Sequence, residues 1–326
     1  MSRVAFVFRT DVHVADRSPL SWKADYPAEI WSNLDQIGEL AKAISADAVL
    51  DGGDYFHIKA ASRNPHALVA KSAEVHRKYV CPVHAIEGNH DLAYNSLDTV
   101  VKQPIGVLFA SGVFHPLRDV TFERGEVKVR VVGCPYDPFR TLDDLRAIRK
   151  KPGDQYLIAV VHALAGENPA EKAEDFFKEP VFRYRDLVSI DGPDIWCFGH
   201  WHKDQSIVEI EGKQFVNQGA VSRGSLVREN TERTPQVAVI EALASGITAR
   251  TVKLIVPPAS EVFDFERKEK QEAEVQRIDQ FITQLDASLT TDPSLNIEGQ
   301  VQSLDFADDV RQRALGYLDL ARSENP

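Results

Sequence analysis

The chain has 326 residues, of which 43% are hydrophobic and 27% charged, enough for a globular core of domain size plus an appendage. No apolar run reaches the ~20 residues a membrane span needs, and residues 4–8 are too short for a signal core, so a cytoplasmic protein with no membrane segment is expected. The net charge of -11 argues against a surface that is basic throughout, and three widely spaced cysteines (Cys81, Cys134, Cys197) argue against a disulfide frame or a thiolate zinc site.

In chain order, short Val- and Ile-rich runs at 4–8, 48–50, 83–86, 127–132, 156–161 and 195–198 predict buried strands. Between them, Ile30, Leu34, Ile37, Leu40, Ala41 and Ile44 follow helical spacing and predict a helix over 27–44, and a second helix is predicted over 65–79. Strand and helix in alternation predict an α/β sheet layered with helices. After residue 202 the texture changes. Strands are predicted at 206–210, 214–216, 236–240 and 247–256 with Glu211-Gly212 and Ser245-Gly246 as turns, which suggests an antiparallel second half. Pro257-Pro258 then marks a boundary between residues 1–256 and 257–326. Beyond it, Val275, Ile278, Phe281, Ile282, Leu285 and Leu289 form one apolar stripe. Phe306, Val310, Ala314, Tyr317, Leu318 and Ala321 form another, as in two amphipathic helices.

The acid excess is uneven. Residues 264–326 hold 7 Lys/Arg against 14 Asp/Glu, a net of -7, which leaves -4 for residues 1–263. Two bound divalent cations would neutralise that remainder, so a nucleic-acid substrate stays open for the larger part.

Five short segments carry the chemistry: Asp11-Val12-His13, Gly52-Gly53-Asp54, Gly88-Asn89-His90-Asp91, Val161-His162 and Gly199-His200-Trp201-His202. Each directly follows a predicted strand, which places its side chains beyond the carboxyl ends, where open α/β sheets build their sites. Carboxylate, carboxamide and imidazole together suit divalent ions such as manganese, iron or zinc. In D-x-H and H-x-H the alternate residues share one side of an extended backbone, and the two oxygens of Asp54 can bridge two ions. Two ions about 3.5–4 Å apart clamp a phosphoryl group and activate water between them. Trp201 could stack on a base, but the same alternation directs it behind the metal site. His66, His76, His84 and His115 lack such a setting and read as structural or surface residues.

The order D-x-H, G-D, G-N-H-D, H, G-H-x-H over residues 1–255 resembles the calcineurin-like metallophosphoesterase superfamily. The resemblance implies an α/β fold, a four-layer α/β/β/α sandwich, to which the two apolar stripes add a small C-terminal helical region. It also implies one ion on Asp11, His13, Asp54 and His202 and a second on Asp54, Asn89, His162 and His200. Manganese is the first choice for both, with magnesium, iron and zinc as alternatives.

Within the superfamily, protein phosphatases carry G-D-x-V-D-R-G. Here the segment reads Gly53-Asp54-Tyr55-Phe56-His57, without that Arg and Asp. This form, the loop with Ser62 and the stretch GAVSRGSLVRENTERTP at 219–235 look like the SbcD-type DNA exonuclease family. That resemblance implies a DNA nuclease of repair or recombination, working with an SbcC-type coiled-coil ATPase. His57 would position the phosphate, and His90, oriented by Asp91, would protonate the leaving oxygen. Arg63, Arg223 and Arg228, with Arg233 nearby, are the candidates for DNA contact. Two departures stand out: Val14-Ala15 replaces the family's Leu-Gly, and only about 65 residues remain where a larger cap is usual. A homodimer through residues 27–45 or 64–79 is expected. Two other functions remain open, a small-molecule phosphodiesterase or phosphatase and a weakly active adaptor that binds through its C-terminal helices.

Overall fold

The computed structural model describes residues 2–267 throughout and only scattered residues beyond them. Its strands are β1 (Arg3–Arg9), β2 (Ala48–Asp51), β3 (Val83–Ala85), β4 (Phe114–Pro116), β5 (Asp119–Arg124), β6 (Val127–Cys134) and β7 (Tyr156–His162). They continue as β8 (Leu164–Gly166), β9 (Val181–Arg183), β10 (Ile195–Gly199), β11 (Ser206–Ile210), β12 (Lys213–Asn217), β13 (Gln236–Leu243) and β14 (Gly246–Lys253). Two six-stranded sheets result, ordered β14-β13-β1-β2-β3-β4 and β11-β12-β10-β7-β6-β5, and β8 pairs with β9 apart from them.

The period of two along each strand builds the layers. In β1, Phe6 and Phe8 face Val129, Val131, Ile158, Val160 and Cys197 of the other sheet and close a core between the sheets. Val7 points the other way, into a layer of helices: α1 (Tyr26–Ala43), α2 (His66–His76) and α3 (Pro104–Ala110). Ile30, Leu34, Ile37 and Ala41 of α1 lie on that face at helical spacing. On the far side of the second sheet, Ala159, Val161, Trp196, Phe198 and Phe215 pack under Leu145 of α4 (Leu142–Arg146), with Tyr184 and Leu187 beside it. The order is helix, sheet, sheet, helix, the four-layer sandwich that the resemblance implied.

The apolar runs became strands because both faces of each are covered. Helix α1 matches its prediction within a residue at each end, with Asp25 accepting from the Ala28 N–H at 3.1 Å as its N-cap. Helix α2 is shorter than predicted. It stops at His76, and Tyr79 turns away so that its hydroxyl donates to the Leu34 carbonyl.

The late strands form the expected antiparallel hairpins, but these divide between the two sheets and one of them attaches in parallel. The hairpin β11–β12 joins the second sheet, where β12 runs parallel to β10. The hairpin β13–β14 returns to the first sheet, antiparallel to β1. Val216 and Ile240 both enter the core between the sheets, so each hairpin shields an edge of a different sheet.

After Pro257-Pro258 the chain still packs in the core. The short helix α5 (Ala173–Phe177) and the turn α6 (Arg228–Glu232) precede α7 (Ala259–Val262), whose end buries Val262 and Phe263 beside Trp22. The chain divides into Met1–Phe263 and Asp264–Pro326. The two apolar stripes at 275–289 and 306–321 lie outside the described residues. The three cysteines are free thiols, with Cys134 and Cys197 buried. Among the described residues, no helix is long and apolar enough to cross a membrane.

Candidate metal centre

The carboxyl ends of β1, β2 and β3 from one sheet and of β7 and β10 from the other meet at one place. The loop after β1 carries Asp11 and His13. It is stitched to the loop after β2, with the Asp11 N–H donating to the Gly53 carbonyl and the His13 N–H to the Asp54 carbonyl, both at 3.0 Å. The Asp54 carboxylate then accepts from the His90 N–H at 2.7 Å, which ties in the turn Asn89–Asp91 after β3. His162 ends β7, and its Nε2 lies 3.6 Å from Asp54 Oδ2. The His200 N–H after β10 donates to Asp11 Oδ2 at 3.0 Å, and His202 Nε2 lies 3.5 Å from Asp11 Oδ1.

Two groups of donors share Asp54: Asp11, His13, Asp54 and His202 on one side, and Asp54, His162 and His200 on the other, each with its ligand atoms within 4.8 Å of one another. Asn89 sits with the second, its Oδ1 3.3 Å from His162 Nε2. The backbone is bent to make this possible. Asp11, His13, Asp54 and His200 all have positive φ, between 51° and 89°, a conformation costly for residues with a Cβ. Gly53 and Gly88 leave the room: a Cβ on Gly53 would come within 2.7 Å of His162 Nδ1, and one on Gly88 within 2.2 Å of Asp54 Oδ1.

Three of the imidazoles, those of His162, His200 and His90, are turned by a hydrogen-bond partner. His162 Nδ1–H donates to the Gly52 carbonyl at 2.7 Å, which leaves Nε2 as a lone pair toward Asp54. His200 Nε2–H donates to Glu179 Oε2 at 2.8 Å and frees Nδ1 for the cluster, while the Tyr136 hydroxyl donates to Glu179 Oε1 at 2.8 Å. His90 Nδ1–H donates to the His57 carbonyl at 2.5 Å. Burial and neighbouring imidazoles hold His13 well below the usual histidine range and His162 down at about 3, so both stay neutral and able to ligate. For His200 burial works downward, but the hydrogen bond it donates to Glu179 and the nearby carboxylates raise it overall.

The donor set fits two cations on an observation of its own. With its oxygen turned inward, Asn89 faces only acceptors: His162 Nε2, His200 Nδ1 and both Asp54 oxygens. A proton-donating contact arises only if the amide is reversed, when its nitrogen lies 2.9 Å from Asp54 Oδ2 and its oxygen 3.1 Å from Lys59 Nζ. His13 Nε2 and His202 Nε2 also point at each other across 2.9 Å. A crowd of lone pairs facing one another is what divalent ions organise, since ligand atoms about 2.0–2.2 Å from an ion lie only ~3–3.5 Å apart.

Some predicted site residues belong elsewhere. Asp91 does not orient the His90 ring: its buried carboxylate accepts from the N–H groups of Gly88, Tyr55 and Phe56, and so it shapes the loop instead. Arg223 is not a DNA contact. It is 2% exposed and forks onto the Glu29 carboxylate at 2.6 and 3.0 Å, which fully engages it. Arg233 is likewise spent on the carbonyls of Ala220 and Ser222. Arg228 begins α6, and its side chain lies outside the described ones. Arg63 is exposed and lines a cavity of about 500 Å³ with Arg17, Ser18, Ser62 and His57, next to the donor cluster. His57 stacks on His90 with ring centroids 5.7 Å apart and meets His13 edge-on.

Three participants escaped sequence reasoning. Glu179 and Lys59 carry no local signal. The buried pair Arg9–Asp51, at 2.7 Å, lies under the site, and Asp51 Oδ1 accepts from the Gly53 N–H at 3.1 Å to hold the loop of Asp54. A charge pair with both side chains 0% exposed is a signal only once the strands are placed side by side.

The family profile described as calcineurin-like phosphoesterase matches residues 5–204. The DNA double-strand break repair protein Mre11 of Archaeoglobus fulgidus is 24% identical over 237 residues, 68% of this chain and 51% of that protein, so the chain spans about half the length of this relative. Among solved structures, a dimetal phosphatase from Danio rerio is similar over 77% of this chain and 96% of its own, with 11% identity and a TM-score of 0.49. A purple acid phosphatase from yellow lupin, Lupinus luteus, is similar over 81% and 53%, with 14% identity and a TM-score of 0.47.

Proposed function

The chain belongs to the calcineurin-like phosphoesterase family, and from that premise we propose that it is a two-metal DNA nuclease that hydrolyses phosphodiester bonds, with manganese as its working ion. The observation that carries the reading is the convergence of six ligand-type side chains on Asp54 from the ends of two sheets. The similarity to a DNA break-repair protein over 237 residues supports DNA as substrate, and so does the exposed Arg63 with Arg17 in the cavity beside His57.

Asp11, His13, Asp54 and His202 would hold one ion, and Asp54, Asn89, His162 and His200 the other. Bound there, divalent ions supply positive charge against the phosphoryl oxygens and activate water for attack. The rest falls to side chains. His90 anchors its Nδ1 proton on the His57 carbonyl, so in the doubly protonated ring the proton on Nε2 is the one that would pass to the leaving sugar oxygen, leaving the neutral Nδ1–H imidazole behind. His57, at the mouth of the 500 Å³ cavity, positions the phosphate, and Arg17 and Arg63 hold the flanking backbone. Glu179 keeps His200 turned toward the cluster. In the cell the enzyme would act in DNA repair or recombination beside an SbcC-type coiled-coil ATPase, as a homodimer through residues 27–45 or 64–79, with residues 264–326 as a reduced cap or partner element.

The test is hydrolysis by manganese-loaded protein of labelled single- and double-stranded DNA, run beside a chromogenic diester and a nucleotide panel. Metal-dependent DNA cleavage is expected. Turnover of the small esters with DNA left intact would contradict the proposal.

A further inference from the structure

Trp201 stands between two candidate ligands, yet its indole faces away from them. It lies over Gly166 and meets Phe177 edge-on, with ring centroids 5.4 Å apart. On this side it lines a second cavity of about 420 Å³, separate from the one beside His57. The same walls include Phe176, which is 81% exposed, together with Lys172 and Lys203. Gln205 closes one side, held by its amide donating to the Ala165 carbonyl at 2.8 Å. The volume falls in the range of about 300–1,000 Å³ typical of small-ligand sites.

The composition narrows the occupant. A free anion would use the lysines but gain nothing from three aromatic rings, and a purely apolar ligand would gain nothing from the ammonium groups. A flat ring that carries a phosphate uses both, through stacking and charge. Trp201 is the immediate chain neighbour of both His200 and His202, so a ring lodged here would belong to a nucleotide next to a phosphate at the metal centre.

We infer that this cavity is a stacking subsite for the nucleobase adjoining the scissile phosphate, with Trp201 as its platform and Lys172 and Lys203 attracting the next phosphate along the strand. The inference rests on the reading of the chain as a DNA nuclease. The sequence pattern sent Trp201 behind the metal site. The structure adds that the space behind is open, and that makes the tryptophan a specificity residue.

The experiment uses the full chain loaded with manganese. Its substrates are labelled oligonucleotides that carry either a natural base or an abasic tetrahydrofuran unit beside the scissile bond. Trp201→Leu should raise KM about tenfold on the base-containing strand, leave kcat nearly unchanged and leave the abasic substrate unaffected, with Trp201→Phe recovering most of the loss. Phe176→Ser, an exposed position that folding tolerates, should shift KM about threefold with the same dependence on the base. Losses that fall equally on both substrates, whether through kcat or through metal content, would overturn the subsite and leave the nuclease reading intact. Failure of the unmodified protein to cleave any DNA would bring down both.

Discussion

At the scale of the residue, the site depends on where each imidazole keeps its proton. Glu179 holds the His200 proton on Nε2, away from the cluster, and its negative charge raises the basicity of the ring. Glu179→Ala should therefore weaken manganese affinity about 10–100-fold, read by calorimetric titration, whereas unchanged affinity would contradict that role. His90 lies beside the cluster and outside the two groups that share Asp54. His90→Asn should retain both ions while its turnover of DNA falls about 10²–10⁴-fold, measured as single-turnover cleavage with metal content assayed in parallel. Full turnover by that variant would refute its part in proton transfer. The residues that come together as candidate ligands were legible because their chemistry is written in local spacing, five segments each placed at a strand end. Arg223 was misread because a buried arginine in a polar loop looks like a solvated one until Glu29, 194 positions away, is found against it. Glu179, in an unremarkable charged stretch, could not be found from spacing at all.

At the scale of the element, β1 and β2 carry a buried ion pair under the catalytic loops. Removing one partner leaves an uncompensated charge, so Asp51→Ala should cost about 3–5 kcal/mol in urea unfolding. The double variant Arg9→Met with Asp51→Leu should recover much of that stability without restoring manganese affinity, because Asp51 Oδ1 also holds the Gly53 N–H. A double variant no more stable than Asp51→Ala would contradict the account.

A second pair links β3 to β4, where His84 faces His115 in register with ring centroids 5.2 Å apart. Burial, and then the neighbouring His115, push His84 down to about 4. In the unfolded chain histidine titrates near ~6.5, so between that value and about 4 the unfolded state binds more protons. This group's contribution to stability is thus complete above about 6.5 and falls away as the solution is acidified through that window. His84→Gln should flatten the decline in melting temperature between about pH 6.5 and 4, and an unaltered slope would contradict the assignment. Strands with both faces covered were readable as apolar runs. β5 was not: it is an edge strand, mostly exposed, and its sequence DVTFER shows no such run.

At the scale of the whole molecule, the two sheets are stacked so that the ends of their parallel strands open on the same place. The sequence announced the long strands of both sheets other than β5, the helices α1 and α2, and the chemistry of the loops between them. It did not announce which sheet each late hairpin would join, because that choice depends on which edge stands uncovered once the core between the sheets has closed. It also left the two cavities, one lined by His57 and the other by Trp201, unseen, since open space has no residue of its own. The central claim is that Asp54 bridges two cations held by Asp11, His13 and His202 on one side and by Asn89, His162 and His200 on the other. Crystals grown with manganese and measured at its absorption edge test this directly. The account predicts two anomalous peaks about 3.5–4 Å apart with the Asp54 carboxylate between them, and a single peak, or two peaks away from these residues, would contradict it.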